Sequence, residues 1–284
     1  MLSLMNLIIM HFKVYLIGCV VFTTLFSCRK SDSKPVKIFT NPNEASIETV
    51  VSPTPDHITK NYTLAWSDEF DGSQLDLTKW NYRADGTIRK LATVSNKTVK
   101  LDGEGNLQIM ALKDPNGTYY VGQASTENSY HTKYGYFECR AKMNESIGPH
   151  VAFWLQSNTM GIETDNPAVN GTEIDIFEYH RKKPELLFHN LHWNGYGDAH
   201  KTIGTKIGNS FIRSGYHTFG LEWTENEYIF YVDGRETWRT TTAVSKTAQY
   251  IILSTELTGF GGDPSLGTFP DRVLFDYVRV YKAK

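Results

Sequence analysis

The feature of this sequence that most limits its fold is a repeated alternation of apolar and polar residues over short runs. From Asn61 onward these runs are separated by Gly, Asn, Asp or Pro, and clear examples span residues 106–111, 134–142, 228–232 and 273–281. Alternation with a period of two is typical of strands in a sheet with one buried face. No long segment shows a helical stripe. The pattern therefore predicts an all-β protein.

A tight turn supports this prediction. Asp233-Gly234 separates Tyr231-Val232 from the polar run that follows, and Asp-Gly readily adopts the positive φ angles that a type I′ hairpin turn needs. No second linker interrupts residues 61–284. A strand-rich segment of this length without a linker fits one sandwich of two antiparallel sheets, so we expect a single large domain there.

The composition excludes several classes of protein. The chain has 29 basic and 31 acidic residues, a formal net charge of −2 that gives no strong attraction to nucleic acid. Hydrophobic residues make up 40% and aromatic residues 13%, a balance unlike that of disordered or polytopic membrane proteins. The three cysteines fit neither a zinc site nor a disulfide framework. We expect a monomeric globular body that binds no nucleic acid.

The first 28 residues have the pattern of an export signal. They contain no acidic residue, and an almost unbroken apolar run covers residues 14–26. The run ends in the tetrapeptide LFSC at residues 25–28, which resembles the bacterial lipobox. This resemblance implies that Cys28 becomes the lipid-modified N-terminus of an exported, membrane-anchored bacterial lipoprotein. An uncleaved N-terminal membrane helix is the alternative, because residues 1–26 together are long enough to span a bilayer.

Residues 29–60 are predicted to form a flexible tether between this anchor and the domain. Ser and Pro recur there among scattered charges, and no period of 2 or 3.6 is sustained. The expected organisation is therefore a signal peptide at 1–28, a tether at 29–60 and a globular domain at 61–284.

Three carboxylates in six residues are the strongest functional signal in the chain. In the hexapeptide EIDIFE at residues 173–178, alternation puts Glu173 and Asp175 on one face and the two isoleucines on the other. Strict alternation would turn Glu178 toward the core. A single β-bulge near Phe177 absorbs one residue and returns Glu178 to the acidic face.

Folding does not require acids at neighbouring positions of one face, because they repel one another. Retaining glycoside hydrolysis does use a close pair of carboxyls, roughly 5 Å apart, one as nucleophile and the other as acid and base. Asp175 between them would hold a shared hydrogen bond and keep the two pKa values apart. Two alternatives remain at this point: a solvated strand face with incidental charge, and a divalent-metal cluster that His180 would join.

The hexapeptide resembles the signature of glycoside hydrolase family 16, in the branch with the bulged six-residue form. Further matching segments, in order, are WSDEFDG at 66–72, GYFE at 135–138, AFWL at 152–155 and FDYVRVY at 275–281. The resemblance covers about residues 63–281. It implies a β-jelly-roll sandwich of two antiparallel sheets with a concave catalytic cleft. It also implies endo-acting hydrolysis of a β-linked polysaccharide with retention of configuration.

By the same resemblance, Glu173 is the nucleophile, Asp175 its helper and Glu178 the general acid/base, and catalysis needs no cofactor. Members of the family often carry a structural calcium ion, and the resemblance places a side-chain ligand for it at Asp276. This aspartate alternates into an otherwise apolar strand. Without a cation it would be an edge residue that faces water.

A polysaccharide cleft needs flat rings that stack on sugars and polar groups that bind hydroxyls. Trp154 leads into the acidic strand, and His192 and Trp193 follow on the expected neighbouring strand, so these three residues are the predicted substrate contacts. Adjacent strand residues face opposite ways, and both His192 and Trp193 can reach the cleft only if the chain turns at Asn194-Gly195. Core packing is the alternative for Trp154.

The substrate is less constrained than the reaction. Laminarin-cleaving relatives commonly have a Trp-Pro pair shortly before the catalytic glutamate, whereas Pro167 here follows Asn166. This departure puts a β-1,3-glucan substrate in doubt. It leaves β-galactans, including agar-like, keratan-like and mucin-type chains, as consistent with the sequence as the glucan. A non-catalytic carbohydrate-binding surface lipoprotein is the competing class, but it has no use for Glu173 and Glu178 together.

Overall fold

The computed structural model describes residues 54–208 and 211–284. The predicted signal peptide, the lipidation site Cys28 and the predicted tether as far as residue 53 lie outside the described residues. Within the described part of the chain, no helix combines the length and the apolar character needed to cross a membrane.

Strands make up most of the described chain. In chain order they are β1 (Tyr62–Asp68), β2 (Asn81–Tyr82), β3 (Ile88–Arg89), β4 (Ala92–Val94), β5 (Val99–Leu101), β6 (Leu107–Lys113), β7 (Tyr119–Val121), β8 (Gln123–Ser125), β9 (Gly135–Lys142), β10 (Gly148–Gln156), β11 (Glu173–His180), β12 (Leu186–Trp193), β13 (Lys201–Gly208), β14 (His217–Trp223), β15 (Tyr228–Val232), β16 (Arg235–Thr240), β17 (Tyr250–Gly261) and β18 (Asp271–Ala283). The helices are α1 (Asp56–Asn61) and α2 (Pro167–Asn170), with single 3₁₀ turns at Asn96–Thr98 and Pro264–Leu266.

The strands form two sheets. The larger sheet has the order β16-β15-β14-β9-β18-β6-β7-β4-β3, with β1 added beside β18 and β5 beside β6. The smaller sheet has the order β13-β12-β11-β10-β17-β8-β2. The described pairings are antiparallel except for β4 with β7. The prediction of an all-β jelly-roll sandwich is thus confirmed.

The main hydrophobic core lies between the two sheets. Strand β11 contributes Ile174 and Phe177 from the smaller sheet, and β9 contributes Phe137 from the larger one. Each is fully buried. Because side chains alternate along a strand, Glu173 and Asp175, the neighbours of Ile174 on β11, must point away from the core. The outer face of the smaller sheet is therefore the surface on which the acidic residues lie.

The predicted hairpin is present between β15 and β16. Asp233 has φ of 49° and Gly234 has φ of 74°, so both central residues occupy the left-handed region. A type I′ turn needs this conformation at both positions, and its twist matches that of the flanking strands. The Asp-Gly signal is confirmed.

The domain begins earlier than its expected boundary at residue 61. Ile58 on α1 is fully buried and packs with Tyr136 and Tyr231 on the outer face of the larger sheet. Thr54 is also buried, and its hydroxyl donates a hydrogen bond of 2.9 Å to Glu138 Oε1. Residues 54–60 are therefore part of the packed body rather than of the tether, because they cover apolar surface that the larger sheet would otherwise expose.

Candidate active site

The acidic strand β11 contains the predicted bulge. On the β10 side Phe153 pairs with Phe177 and Trp154 pairs with Asp175, so the intervening Ile176 has no partner there. One extra residue in β11 also separates the pairs that it makes with β12. Both Ile176 and Phe177 are buried in the core. The bulge returns Glu178 to the outer face, as expected from alternation with one inserted residue.

Glu173, Asp175 and Glu178 line one cavity of about 310 Å³ on this outer face. They share it with residues from several other strands and loops. The remaining lining residues are Arg83, Arg89, His150, Ala152, Trp154, Gln156, Tyr196, Ser254 and Glu256. The three acids that the sequence predicted to act together are thus brought together.

Glu173 is held by two donors. Gln156 Nε2 donates a hydrogen bond of 3.1 Å to Glu173 Oε2, and the Tyr196 hydroxyl donates to the same oxygen. Tyr196 follows a turn in which Asn194 and Gly195 have φ of 68° and 70°. Burial, followed by the negative charge of Asp175, raises the pKa of Glu173 to about 8.

Asp175 is buried between the two glutamates. None of the described residues gives its Oδ2 atom a hydrogen bond, and His192 Nε2 lies 3.4 Å from that atom. Burial raises the pKa of Asp175 well above its usual range, and the charges of Glu178 and Glu256 raise it further. Burial and these two charges therefore favour the protonated form of Asp175.

Glu178 lies between a cation and an amide. His150 Nε2 is 2.8 Å from Glu178 Oε1, and Asn190 Nδ2 donates to Oε2. Burial favours the neutral acid, but the contact with His150 and the hydrogen bond from Asn190 outweigh it, so the pKa of Glu178 lies below its ordinary value. Gly204 makes room for this arrangement, because a Cβ there would lie 1.8 Å from Asn190 Oδ1.

His150 is the partner that the sequence did not reveal. Burial lowers its pKa, but the hydrogen bond and charge of Glu178 and the charge of Glu256 raise the pKa above its ordinary value. Glu256 is its register partner on β17. Between these two shifted pKa values the pair is an imidazolium beside a carboxylate.

The three predicted substrate contacts have different positions. Trp154 lies at the cavity wall, with its indole N–H donating to Ser254 Oγ at 3.1 Å and the Arg83 guanidinium 5.3 Å from its ring centroid. His192 lies on the cleft side next to Asp175. Trp193 packs against the main core and does not reach the cleft.

The prediction for Trp193 was wrong for a simple geometric reason. The turn at Asn194-Gly195 is present, but β12 stays extended through Trp193, so alternation turns this ring to the face opposite His192. The turn brings Tyr196 to the cleft instead. This residue was missed because a loop position carries no alternation signal.

His180 does not join the acidic residues as a metal ligand. It is buried against the rings of Phe188 and Phe260, and the Lys183 backbone N–H donates to its Nδ1 atom at 3.3 Å. Burial lowers its pKa to about 4, and the positive charge of His150 adds to this effect. His180 is therefore an uncharged ring that packs against these two phenylalanines.

Asp276 has a cationic partner, but the partner is an arginine. Arg140 Nη1 lies 2.8 Å from Asp276 Oδ2, and its guanidinium is 4.5 Å from the ring centroid of Tyr216. Asp276 is 6% exposed, so the alternative of a water-facing edge residue is also wrong. A guanidinium this close supplies the positive charge and repels a second cation. The residues at this position therefore do not fit a calcium ion.

Two glutamates that share one cleft on a bulged strand of a two-sheet jelly roll supply the pair of carboxyls that a glycoside hydrolase uses. Comparison with known families identifies the family within this class. The family model described as β-porphyranase A–D, GH16 domain, matches residues 62–283. The chain therefore belongs to glycoside hydrolase family 16, whose members are retaining enzymes.

Individual relatives agree with this assignment. The chain is 27% identical to the glucan endo-1,3-β-glucosidase A1 of Niallia circulans over 85% of its own length and 41% of that protein. It is 24% identical to the keratan-sulfate endo-1,4-β-galactosidase of Sphingobacterium multivorum over 95% of its own length and 67% of that protein. The laminarinase catalytic domain of Thermotoga petrophila RKU-1 matches with a TM-score of 0.68 and 28% identity, covering 79% of this chain and 99% of that one.

Proposed function

We propose that this chain hydrolyses internal β-galactosidic linkages of a sulfated galactan of the porphyran type, with retention of configuration. The observation that carries the proposal is that two arginines, Arg83 and Arg89, line the same cavity as the three carboxylates. Three acids and a histidine are enough for the hydrolysis itself. The arginines therefore point to a substrate that carries negative charge.

The two arginines have donors that suit a sulfate ester. Arg89 Nε is buried and finds no hydrogen-bond partner among the described residues. Arg89 Nη2 lies 3.5 Å from Glu256 Oε2, which is a long distance for an ion pair. Arg83 donates to Gln123 and Gln156 with its two terminal nitrogens. Guanidinium groups bind sulfate and phosphate oxygens through a planar fork of donors. A neutral glucan offers no such acceptor.

The comparisons support the same substrate class. The matching family model is that of β-porphyranases, and one relative over 95% of the chain acts on keratan sulfate. Porphyran and keratan sulfate are both sulfated chains with β-linked galactose. Glucan-cleaving relatives have similar identities, so β-1,3-glucan belongs in the test as the competing substrate.

The proposed chemistry assigns one role to each acid. Glu173 attacks the anomeric carbon and forms a covalent glycosyl-enzyme, while Glu178 protonates the departing oxygen and later takes a proton from water. Gln156 and Tyr196 hold one oxygen of Glu173, which leaves its other oxygen for the attack. Asp175, between the two glutamates, is the helper, and the hydrogen bond from Tyr196 lowers the pKa of Glu173 and so favours the ionised form that attacks.

One proton must move before the leaving group can depart. In the resting cleft His150 is charged and Glu178 is ionised, whereas the general acid must carry a proton. Transfer of that proton across the 2.8 Å contact leaves neutral His150 and protonated Glu178. A bound sugar favours this transfer, because it excludes water from the cleft and so disfavours the two separated charges.

The experiment is product release from a panel of polysaccharides by the whole chain and its Glu173→Gln variant. Porphyran, keratan sulfate, agarose and laminarin form the panel, and chemically desulfated porphyran is the matched control. We expect oligosaccharides from porphyran, few from its desulfated form, and none with the variant. Cleavage of laminarin in preference to the galactans would overturn the substrate, and cleavage by the variant would overturn the mechanism.

We further propose that the protein is an exported lipoprotein, anchored through Cys28, and that it acts as a monomer. The lipobox-like segment at residues 25–28 supports the anchor. The expected result is that Cys28→Ser moves the protein from the membrane fraction to the soluble fraction without loss of activity. Light scattering should give the mass of one chain.

A further inference from the structure

Three side chains that can ligate a metal lie close together in the cleft, at the Glu173 end of the acidic strand. Glu173, Asp175 and His192 each offer one ligand atom, and these atoms all lie within 4.8 Å of one another. Glu173 and His192 are register partners on β11 and β12, and Asp175 lies two residues farther on the same face. Neighbouring strands of a rigid sheet thus hold two carboxylates and one imidazole close together.

Asp175 supplies an independent indication that a ligand belongs there. Its side chain is 5% exposed, and its Oδ2 atom receives no hydrogen bond from any described residue. A buried carboxylate oxygen without a partner costs free energy, and native proteins rarely leave one so. The group nearest to it is His192 Nε2, at 3.4 Å. A cation between these two atoms would satisfy both.

His192 is oriented as a metal ligand requires. Its Nδ1 atom lies 3.0 Å from His200 Nε2, and the two rings stack with centroids 5.1 Å apart. If Nδ1 carries the proton and donates it to His200, the lone pair of Nε2 points to the acids. Ligating histidines in proteins are held by such a second hydrogen bond, which fixes the tautomer and the ring orientation.

We infer that Glu173, Asp175 and His192 bind a borderline divalent cation such as Zn²⁺. One imidazole nitrogen and two carboxylate oxygens, with an open side toward the cleft, suit Zn²⁺ and its first-row neighbours. Ca²⁺ and Mg²⁺ prefer oxygen ligands and more of them, so they are poor candidates.

The bound ion would regulate the hydrolase by blocking it. A cation on Glu173 and Asp175 occupies the nucleophile and its neighbour, so the sugar ring cannot be attacked. This consequence rests on the function proposed above, whereas metal binding itself rests only on the geometry of the three side chains. The two can therefore be tested separately.

The test is calorimetric titration of ZnCl₂ into the whole chain and its variants at pH 7.5. We expect one saturable site in the unmodified chain and at least tenfold weaker binding in both His192→Gln and Glu173→Gln. The His200→Gln variant should lose about tenfold, the usual effect of removing the group that orients a ligand. CaCl₂ should give no saturable signal.

The matched control is His57→Gln. His57 also lies beside a carboxylate, with its Nε2 atom 2.9 Å from Glu222 Oε2, but it is on the outer face of the other sheet. Zinc affinity should be unchanged in this variant. Equal zinc affinity in the unmodified chain and in folded His192→Gln and Glu173→Gln, checked by circular dichroism, would overturn the site, as would the absence of saturable binding.

An activity assay completes the test. Micromolar Zn²⁺ should inhibit hydrolysis in competition with substrate, and EDTA should restore it. Zinc binding by a chain that cleaves no glycan would sustain the site and contradict the proposed function. Full hydrolysis with the zinc site saturated would contradict the blocking role. Hydrolysis without any zinc binding would contradict the site alone.

Discussion

His150 Nε2 lies 2.8 Å from Glu178 Oε1, and the two residues belong to neighbouring strands of the smaller sheet. The ring of Phe260 packs edge-on against the imidazole, with centroids 5.1 Å apart. Both side chains of the pair are largely shielded from water. Charges in such a place interact more strongly than on the surface, so the two groups titrate as one unit that shares a proton.

Replacing His150 by Asn should slow the chemistry without weakening substrate binding to the same degree. The variant removes the positive charge that lowers the pKa of Glu178, so the pKa of that acid rises. We expect kcat to fall about tenfold, less than the loss of the acid-base group itself would cost, with KM changed much less. The basic limb of the pH profile should move to lower pH, because the proton is then held by the carboxyl of Glu178 alone and no longer by the pair that includes the imidazole. An unchanged profile would argue that His150 only packs against Phe260.

Variants of the two glutamates should separate their roles. Glu178→Gln cannot protonate a leaving group, so it should lose at least about a hundredfold on polysaccharide but much less on an aryl glycoside with an acidic phenol. Glu173→Gln should be inactive on both substrates, because it forms no covalent intermediate. Steady-state rates on the two substrates measure the difference. Equal losses for both variants on both substrates would contradict the assignment.

The acidic strand could be predicted from sequence because its signal is local. Alternation placed Glu173 and Asp175 together, and the only way to add Glu178 without burying it was a bulge near Phe177, where the structure has one. The same local rule explains the error at Trp193, since one strand residue cannot share the face of its neighbour.

The rest of the site could not be predicted because it depends on strand order. His150 and Glu256 are more than a hundred residues apart but are register partners on β10 and β17. Arg89 reaches the cavity from the short strand β3, which belongs to the other sheet. Alternation along β10 could have placed His150 on the same face as Trp154. A single sequence does not show which strands lie beside β10, so the partners of His150 could not be predicted.

Removing the Tyr196 hydroxyl should weaken the nucleophile. This hydroxyl donates to Glu173 Oε2 and lowers the pKa of that acid, so in Tyr196→Phe the pKa rises and less of Glu173 is ionised. We expect kcat near pH 7 to fall about tenfold, since a hydrogen bond to a charged group contributes about 1.5 kcal/mol. The control is Tyr216→Phe, whose hydroxyl donates to Asn106 away from the cleft. Equal kcat values for Tyr196→Phe and Tyr216→Phe near pH 7 would contradict the prediction.

Stability should not depend on calcium, because Arg140 supplies the charge at Asp276. Arg140→Gln leaves the carboxylate of Asp276 buried without its guanidinium and should lower the free energy of unfolding by about 3 kcal/mol. EGTA should leave the melting temperature of the unmodified chain unchanged. Differential scanning fluorimetry with and without CaCl₂ measures both effects. A drop in melting temperature with EGTA would show that calcium binds despite the arginine.

Acid should destabilise the fold through His189, which is fully buried in the smaller sheet. Its Nδ1 atom lies 2.7 Å from the Ile176 carbonyl oxygen and its Nε2 atom 2.9 Å from Thr237 Oγ1, and burial lowers its pKa to about 4. The unfolded chain, with an ordinary histidine pKa near 6.5, then binds more protons than the folded one between about pH 6.5 and pH 4. The stability contributed by neutral His189 is complete above that window and is lost as the pH falls through it.

The His189→Gln variant isolates this contribution. Glutamine keeps hydrogen-bonding capacity but does not titrate, so the variant starts less stable and loses less on acidification. Between pH 7 and pH 5 the unmodified chain should lose about 2 kcal/mol more than the variant, from the difference between the two histidine pKa values. Urea unfolding at both pH values gives the two losses, with the exposed His131→Gln as control. Parallel losses in the unmodified chain and His189→Gln would show that His189 is not the group that titrates.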